Sequence, residues 1–286
     1  MTDRMNRAYQ AATRIIQEEM SAEDRALLGR VAESDVVVLR GQYDRVEDVL
    51  SVLGIPFQLT EPAALDHVHL RPHQMLVVNC PGHLSRLGIT RVREFVEDGG
   101  TLFTTDWALR HVLEPAFPGL LAYNERPTAD EVVRIEIADP DSAILQGVLH
   151  EGAAPLWWLE GSSYPIRILA PERVHVLLTS KELGDKYGEA PIAVTFTEGR
   201  GEVFHMISHY YLQRAETRTE RHKGNWKVYA EEVGSAAAAC SAPPELSDLT
   251  VGEVEAAHKS ARFIQNIVVE KQKKRCAGNP RATIMA

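Results

Sequence analysis

The chain has 286 residues, 44% of them apolar and 25% charged, with a formal net charge of −9, enough for one large domain with a sizeable buried core. The acidic balance excludes general nucleic-acid binding, which needs a basic face, and no apolar run reaches the length of a bilayer span. The N-terminal stretch carries early acids and lacks the apolar segment of a signal peptide, so no membrane association and a cytoplasmic location are expected. Three cysteines, Cys80, Cys240 and Cys276, are too widely spaced for a CxxC metal site or a disulfide framework.

Residues 1–33 read as an N-terminal helical extension. Ala8, Ala11, Ile15 and Ile16, then Leu27, Leu28 and Val31, recur at helical spacing, and Ser21 is placed to cap a second helix. Asp35 to Leu39 is a β-branched run of the buried-strand type. Tyr43 to Leu53 predicts a helix with Val46, Val49, Leu50 and Leu53 inward, stopped by Gly54, and Pro56 to Leu59 predicts a second strand. Met75 to Val78, the helix Gly88 to Asp98, the Gly99-Gly100 turn and Thr101 to Thr105 repeat the pattern. Alternating strand and helix predicts an α/β fold built on a doubly wound, mostly parallel sheet.

Trp107 to Leu113 predicts a short helix closed by Pro115 and Pro118. Residues 131–137 alternate as a half-exposed strand, and residues 156–169 hold one or two strands. Residues 174–180 and 190–208 read as strands, with Glu198 to Gly201 turning a hairpin. Residues 213–250 read as an insert or linker, with the small-residue, proline-rich stretch from Ser235 to Asp248 as a loop. A C-terminal helix over residues 251–275 carries Val254, Ala257, Ala261, Ile264, Ile267 and Val268 on one stripe. A disordered tail is expected from Cys276.

Three pieces resemble a known family. MLVVNCPGHL is similar to the strand and loop that precede the catalytic turn in the class I glutamine amidotransferase-like superfamily. VREFVEDGGTLFTTDWAL is similar to the helix, Gly-Gly turn and strand that lead into its nucleophile elbow. APIAVTFTEGRGEVFHMISH resembles the late hairpin whose second strand ends near the family histidine, most like the trehalose-utilisation (ThuA-like) branch. The resemblance covers residues 34–212 and implies a flavodoxin-like α/β domain. The elbow, where catalytic relatives carry a cysteine, falls at Asp106. The family histidine corresponds to His209. Cys80 lies on the earlier loop that supplies an oxyanion-hole amide in those relatives. No acid follows His209 to orient its ring, because the next residues are Tyr210, Tyr211 and Leu212. The resemblance therefore implies a familiar scaffold without its usual Cys-His-Glu triad.

Each candidate has a plainer alternative. Cys80 could act as a nucleophile beside His83 or His209, or simply close a strand. Asp106 could serve as nucleophile or general base, or N-cap the helix at 107–113. Gly82, His83, Trp107 and His205 are placed to line a ligand crevice at the strand ends. His83, Asp106, His111, His205 and His209 could make a metal site, but their scatter favours none, and no cofactor is implied. Trp157 and Trp158 read as core residues. The basic run Arg214 to Lys227 reads as a solvated segment, with a lid or partner-binding insert as the alternative.

The resulting expectation is a ligand- or partner-binding module on an amidotransferase-like scaffold. Its partner would be a small molecule or a protein, with a homo-oligomer also open. The alternative is a hydrolase-type enzyme using Cys80 or Asp106 with His209 on a small, carbohydrate-derived substrate.

Overall fold

A computed structural model of the chain describes residues 3–149, 156–210 and 219–278. The predicted alternation is present. β1 (Val36–Leu39) leads through α3 (Val46–Leu53) to β2 (Gln58–Thr60), and β3 (Met75–Val78) leads through α4 (Arg86–Glu97) to β4 (Thr101–Thr105). All residues of β1, β3 and β4 are buried. That explains why these strands are continuous apolar runs without alternation: both faces of a parallel sheet are covered. Gly54 ends α3 in the left-handed conformation, and Ser85 caps α4 by accepting from the Gly88 amide.

Two N-terminal helices, α1 (Asp3–Glu19) and α2 (Ala22–Leu28), precede this unit. After β4 the chain makes a π-helical turn at Leu109–Leu113 that runs into α5 (Glu114–Ala116). Pro115 thus lies in the first turn of α5, where its missing N–H costs little, and Phe117 ends the helix. β5 (Leu121–Tyr123) pairs with β9 (Ile166–Ile168) in a small ribbon. The alternating 131–137 segment divides in two: β6 (Glu131–Arg134) pairs with β8 (Leu156–Leu159), whereas β7 (Glu136–Ile137) joins the edge of the main sheet. β10 (Val174–Thr179), α6 (Lys181–Tyr187), β11 (Pro191–Glu198) and β12 (Gly201–Met206) follow.

Among the described residues the main sheet has eight strands in the order β2-β1-β3-β4-β12-β11-β10-β7. The first five are parallel to one another, and each of the last three pairs antiparallel with the strand before it. Winding proceeds outward in both directions from β1 and β3. Right-handed crossovers therefore set α3 and α4 on opposite faces, and the carboxyl ends of β1, β3, β4 and β12 open onto one shared edge.

Residues 213–250 depart from the linker expectation. Within their described part, α7 (Glu220–Lys223), α8 (Trp226–Glu232) and α9 (Ala236–Cys240) form three short helices, and Pro244–Leu246 adds a 3-10 turn. Trp226, Tyr229 and Leu246 point inward and are buried. The run Arg214 to Arg218 lies outside the described residues. The reason for the difference is α10 (Val251–Gly278), which packs against α1, α2, α3, α7 and α8. All residues from 251 to 269 are buried, so the helix is enclosed on every side rather than along one stripe. Its polar side chains are paired: Glu255 with Lys259 at 2.5 Å, and Asn266 with the carbonyls of Ile144 and Gln146 at 2.8 Å each. The helix continues through Cys276, where a disordered tail was expected. Residues 279–286 lie outside the described part.

Candidate functional site

Four strand ends meet at one point. The loop after β1 carries Gly41 and Asp44, the loop after β3 carries Asn79 and Cys80, the turn after β4 carries Asp106, and β12 runs into Ser208 and His209. The first two loops touch closely: the Cys80 carbonyl accepts from the Gln42 and Tyr43 amides at 3.0 and 3.3 Å. A Cβ on Gly41 would sit 2.5 Å from Asn79 Cβ and 2.6 Å from the Cys80 oxygen, so only glycine fits there. Asn79 ties the β3 end to α3 by donating to Glu47 at 2.8 Å. The Cys80 amide donates to Thr105 Oγ1 at 3.1 Å, linking the β3 and β4 ends.

Asp106 has φ 44° and Ser208 φ 79°. Neither is glycine, and both stand at the carboxyl ends of the adjacent strands β4 and β12. Positive φ at such residues is a cost that tertiary structure must hold in place, and it concentrates at functional sites. The Asp106 carboxylate does not cap the following helix, as one sequence reading had it. It accepts from Ser163 Oγ and the Tyr164 amide, each at 2.8 Å. The helical turn at Leu109–Leu113 has no side-chain cap.

His209 bridges two acids. Its Nδ1 lies 2.7 Å from Glu160 Oε2. Its Nε2 lies 3.2 Å from Asp106 Oδ2, at ion-pair distance but without the alignment of a hydrogen bond. Cys80 completes the group. Its sulfur, a carboxylate oxygen of Asp106 and a ring nitrogen of His209 all lie within 4.8 Å of one another, and all three residues are buried. Burial alone would push the His209 pKa down, but contact with Asp106, Cys80 and Glu160 and the charge of Asp44 hold it well above the ordinary value. Burial pushes the Cys80 thiol up, against the opposing pull of His209. Asp44, fully buried, is raised to about 7, chiefly by burial, with His209 countering.

No acid directly follows His209 in the chain, as the sequence reads; the acid at its ring is Glu160. This residue stands 49 positions upstream, just after β8. Cys80, Asp106 and His209 come together; the other candidates do not join them. His205 is fully buried inside the sheet layer, where Nδ1 lies 2.8 Å from Thr104 Oγ1, and burial lowers its pKa to about 3. Gly82 packs its backbone against Ala108 and Val112, and His83 is exposed with its ring edge-on to His111. Trp157 and Trp158 are buried. Together with Ala256, Lys259 and Ser260 of α10 they line a narrow cleft that reaches His209.

Trp107 borders the cluster as half of an aromatic ledge. Its ring stacks on Tyr164 with centroids 5.3 Å apart, Tyr164 stacks on Tyr123 at 3.8 Å, and the 48%-exposed Tyr43 meets Trp107 edge-on. Arg110 lies 5.9 Å above the Tyr123 ring. Sequence reasoning missed Asp44, Glu160, Ser163 and Tyr164. Asp44 was within reach, since every strand end of such a sheet feeds the same edge. Glu160 and Ser163-Tyr164 enter through a connection that has no periodic signal.

No family model matches the chain, and no curated protein matches it. Solved structures do. One is Gan42B, a GH42 β-galactosidase from G. stearothermophilus: 15% identity over 60% of this chain and 27% of that one, TM-score 0.39. A ThuA-like protein from Bacteroides uniformis shares 11% identity over 61% of this chain and 82% of its own, TM-score 0.43. A cytoplasmic protein from Salmonella typhimurium shares 10% identity over 72% and 97%, TM-score 0.43. The chain spans little more than a quarter, 27%, of the galactosidase. Among the described residues no helix is long and apolar enough to cross a membrane.

Proposed function

We propose that the chain is a flavodoxin-like domain of the glutamine amidotransferase-like kind, without the elbow cysteine, that binds a small polar molecule at the carboxyl ends of β1, β3, β4 and β12. The observation that carries this reading is the bridging of Glu160 and Asp106 by His209, beside Cys80, at the point where the parallel strands converge. Charged groups gathered at that edge and held in place by a positive-φ turn match a binding site better than a packing core. The ledge of Trp107 and Tyr164 next to Asp106 offers a flat apolar face, and the acids offer acceptors. Together these suit a hydroxyl-rich, carbohydrate-derived molecule. A protein partner is less favoured, because the described part of the 213–250 segment turns its large aromatic residues inward.

The test is a thermal-shift and calorimetric screen of sugars, sugar acids and their amides against the wild type, Asp106→Asn and Trp107→Ala. A true ligand at a hundredfold excess over its Kd stabilises the protein by about 2.7 kcal/mol, and both variants lose most of that gain. A ligand shift that survives Asp106→Asn unchanged sinks this placement of the site.

A hydrolase-type reading with Asp106 or Cys80 and His209 is favoured by one further feature, the 2.7 Å contact by which Glu160 orients the ring. Product formation from any molecule that binds, followed by NMR and absent in Asp106→Asn, separates turnover from binding alone.

A further inference from the structure

We propose that Cys80, Asp106 and His209 form a three-ligand site for zinc or a similar borderline divalent ion. This inference rests on the strand-end site proposed above and adds the identity of what that site holds. The donor set is a sulfur, a carboxylate oxygen and an imidazole nitrogen, the three ligand types zinc accepts. Thiolate and imidazole together select it over magnesium or calcium. The three donor atoms already lie within 4.8 Å of one another, and the Asp106–His209 pair at 3.2 Å. Ligands around one tetrahedral zinc sit roughly 3.4 Å apart, given bond lengths of about 2.0–2.3 Å, so the Asp106–His209 edge already has that spacing and the Cys80 sulfur has to close in by about 1.4 Å at most.

A second, independent observation points the same way. His209 is 6% exposed, yet its Nε2, the nitrogen aimed at Asp106, makes no hydrogen bond. A buried polar atom in that state calls for an explanation, and a metal on Nε2 supplies one. The surroundings also fit a metal centre. Glu160 accepts from His209 Nδ1 at 2.7 Å, which fixes the tautomer that leaves Nε2 free to ligate. Ser163 and the Tyr164 amide orient the Asp106 carboxylate at 2.8 Å. Asp44 stands nearby, with its Oδ2 buried and unpartnered. Three protein ligands leave a fourth position open for water or a ligand's oxygen, the arrangement of a reactive rather than a structural zinc.

The experiment is elemental analysis of full-length protein purified without chelator from zinc-supplemented medium, followed by cobalt(II) titration of the stripped protein. Near-equimolar zinc is expected, and cobalt should give a sulfur-to-cobalt charge-transfer band in the near ultraviolet. Cys80→Ser should lose that band while keeping the wild-type circular dichroism. Glu160→Gln, a positioning change, should weaken zinc binding by about 10–100-fold. Stripped, folded protein that takes up neither ion, or Cys80→Ser that keeps the band, overturns the proposal. The functional reading fails separately. Metal uptake without any sugar-class ligand leaves the metal site standing and removes the ligand, while ligand binding to protein that takes up no metal does the reverse.

Discussion

At the residue scale, the decisive position is Asp106. Its carboxylate lies 3.2 Å from His209 Nε2 and accepts from Ser163 and the Tyr164 amide, and its backbone has a positive φ that favours glycine or asparagine. Asp106→Ala leaves Ser163 Oγ and the Tyr164 amide without their acceptor and removes one of the two acids that flank His209, a loss of roughly 1–3 kcal/mol for each buried donor left unpaired. Asp106→Asn keeps an acceptor for the Tyr164 amide and tolerates the turn, so it should cost less by about 1 kcal/mol or more. Urea denaturation of the two variants checks the order; equal losses would mean that the carboxylate's own contacts do not matter. His205 makes a different prediction. Burial holds it neutral, with a pKa of about 3 in the folded chain against 6.5 ordinarily. Between those values the unfolded chain binds a proton that the folded one refuses, so stability falls as pH drops through that window. The slope contributed is on the order of 1.4 kcal/mol per pH unit. In His205→Gln, denaturation followed from pH 6.5 to 4 should show a pH dependence shallower by about that amount; an unchanged slope would assign the acid sensitivity to other groups.

At the element scale, the burial of α10 on all sides is unusual for a helix that is not apolar all round. Inside it, Glu255 meets Lys259 at 2.5 Å and Arg221 of α7 at 2.7 Å. Removing one partner leaves the other charge buried and uncompensated, whereas removing both as apolar residues is nearly neutral. Glu255→Gln alone should therefore destabilise by about 3 kcal/mol or more. Glu255→Met with Lys259→Met should cost far less than the sum of its single changes, as a double-mutant cycle would measure. Additive losses would show that the pair is not coupled. The same helix shows where sequence reading stops. The strands β1, β3 and β4 were legible because parallel pairing buries both faces and leaves an unmistakable β-branched run. So was the stripe from Val254 to Val268. What covers the opposite face was not, because α7 and α8 are each shorter than the window in which helical period can be counted. At the site, Cys80, Asp106 and His209 were singled out through the family resemblance, and the structure brings their donor atoms within 4.8 Å of one another. Glu160 was not, since only tertiary packing brings a residue 49 positions away onto the His209 ring.

At the scale of the whole molecule, the stretch with family-like motifs, residues 34–212, is not physically self-contained. α10 lies against α1, α2 and α3, and its Phe263 reaches Phe103 of the central sheet with ring centroids 6.3 Å apart. Arg275 pairs with the buried Asp35, next to the first strand, at 2.8 Å. Lys271 donates to the carbonyls of Pro72 and Gly99 at 2.8 and 2.9 Å, the loops that lead into β3 and β4. The chain's last helix thus fixes the amino ends of the strands whose carboxyl ends build the site. A fragment of residues 34–212 would expose the apolar face of β1, β3 and β4 to water, at about 25 cal/mol for each Å² uncovered. The stability of a domain is only about 5–15 kcal/mol, so uncovering a few hundred Å² is enough to unfold it. The fragment should therefore show no cooperative thermal transition and bind hydrophobic dye, while the same fragment mixed with separate 1–33 and 219–286 segments should regain cooperativity. A 34–212 fragment that melts cooperatively alone, with dispersed amide NMR signals, would establish the α/β unit as an independent domain and reduce α10 to an accessory.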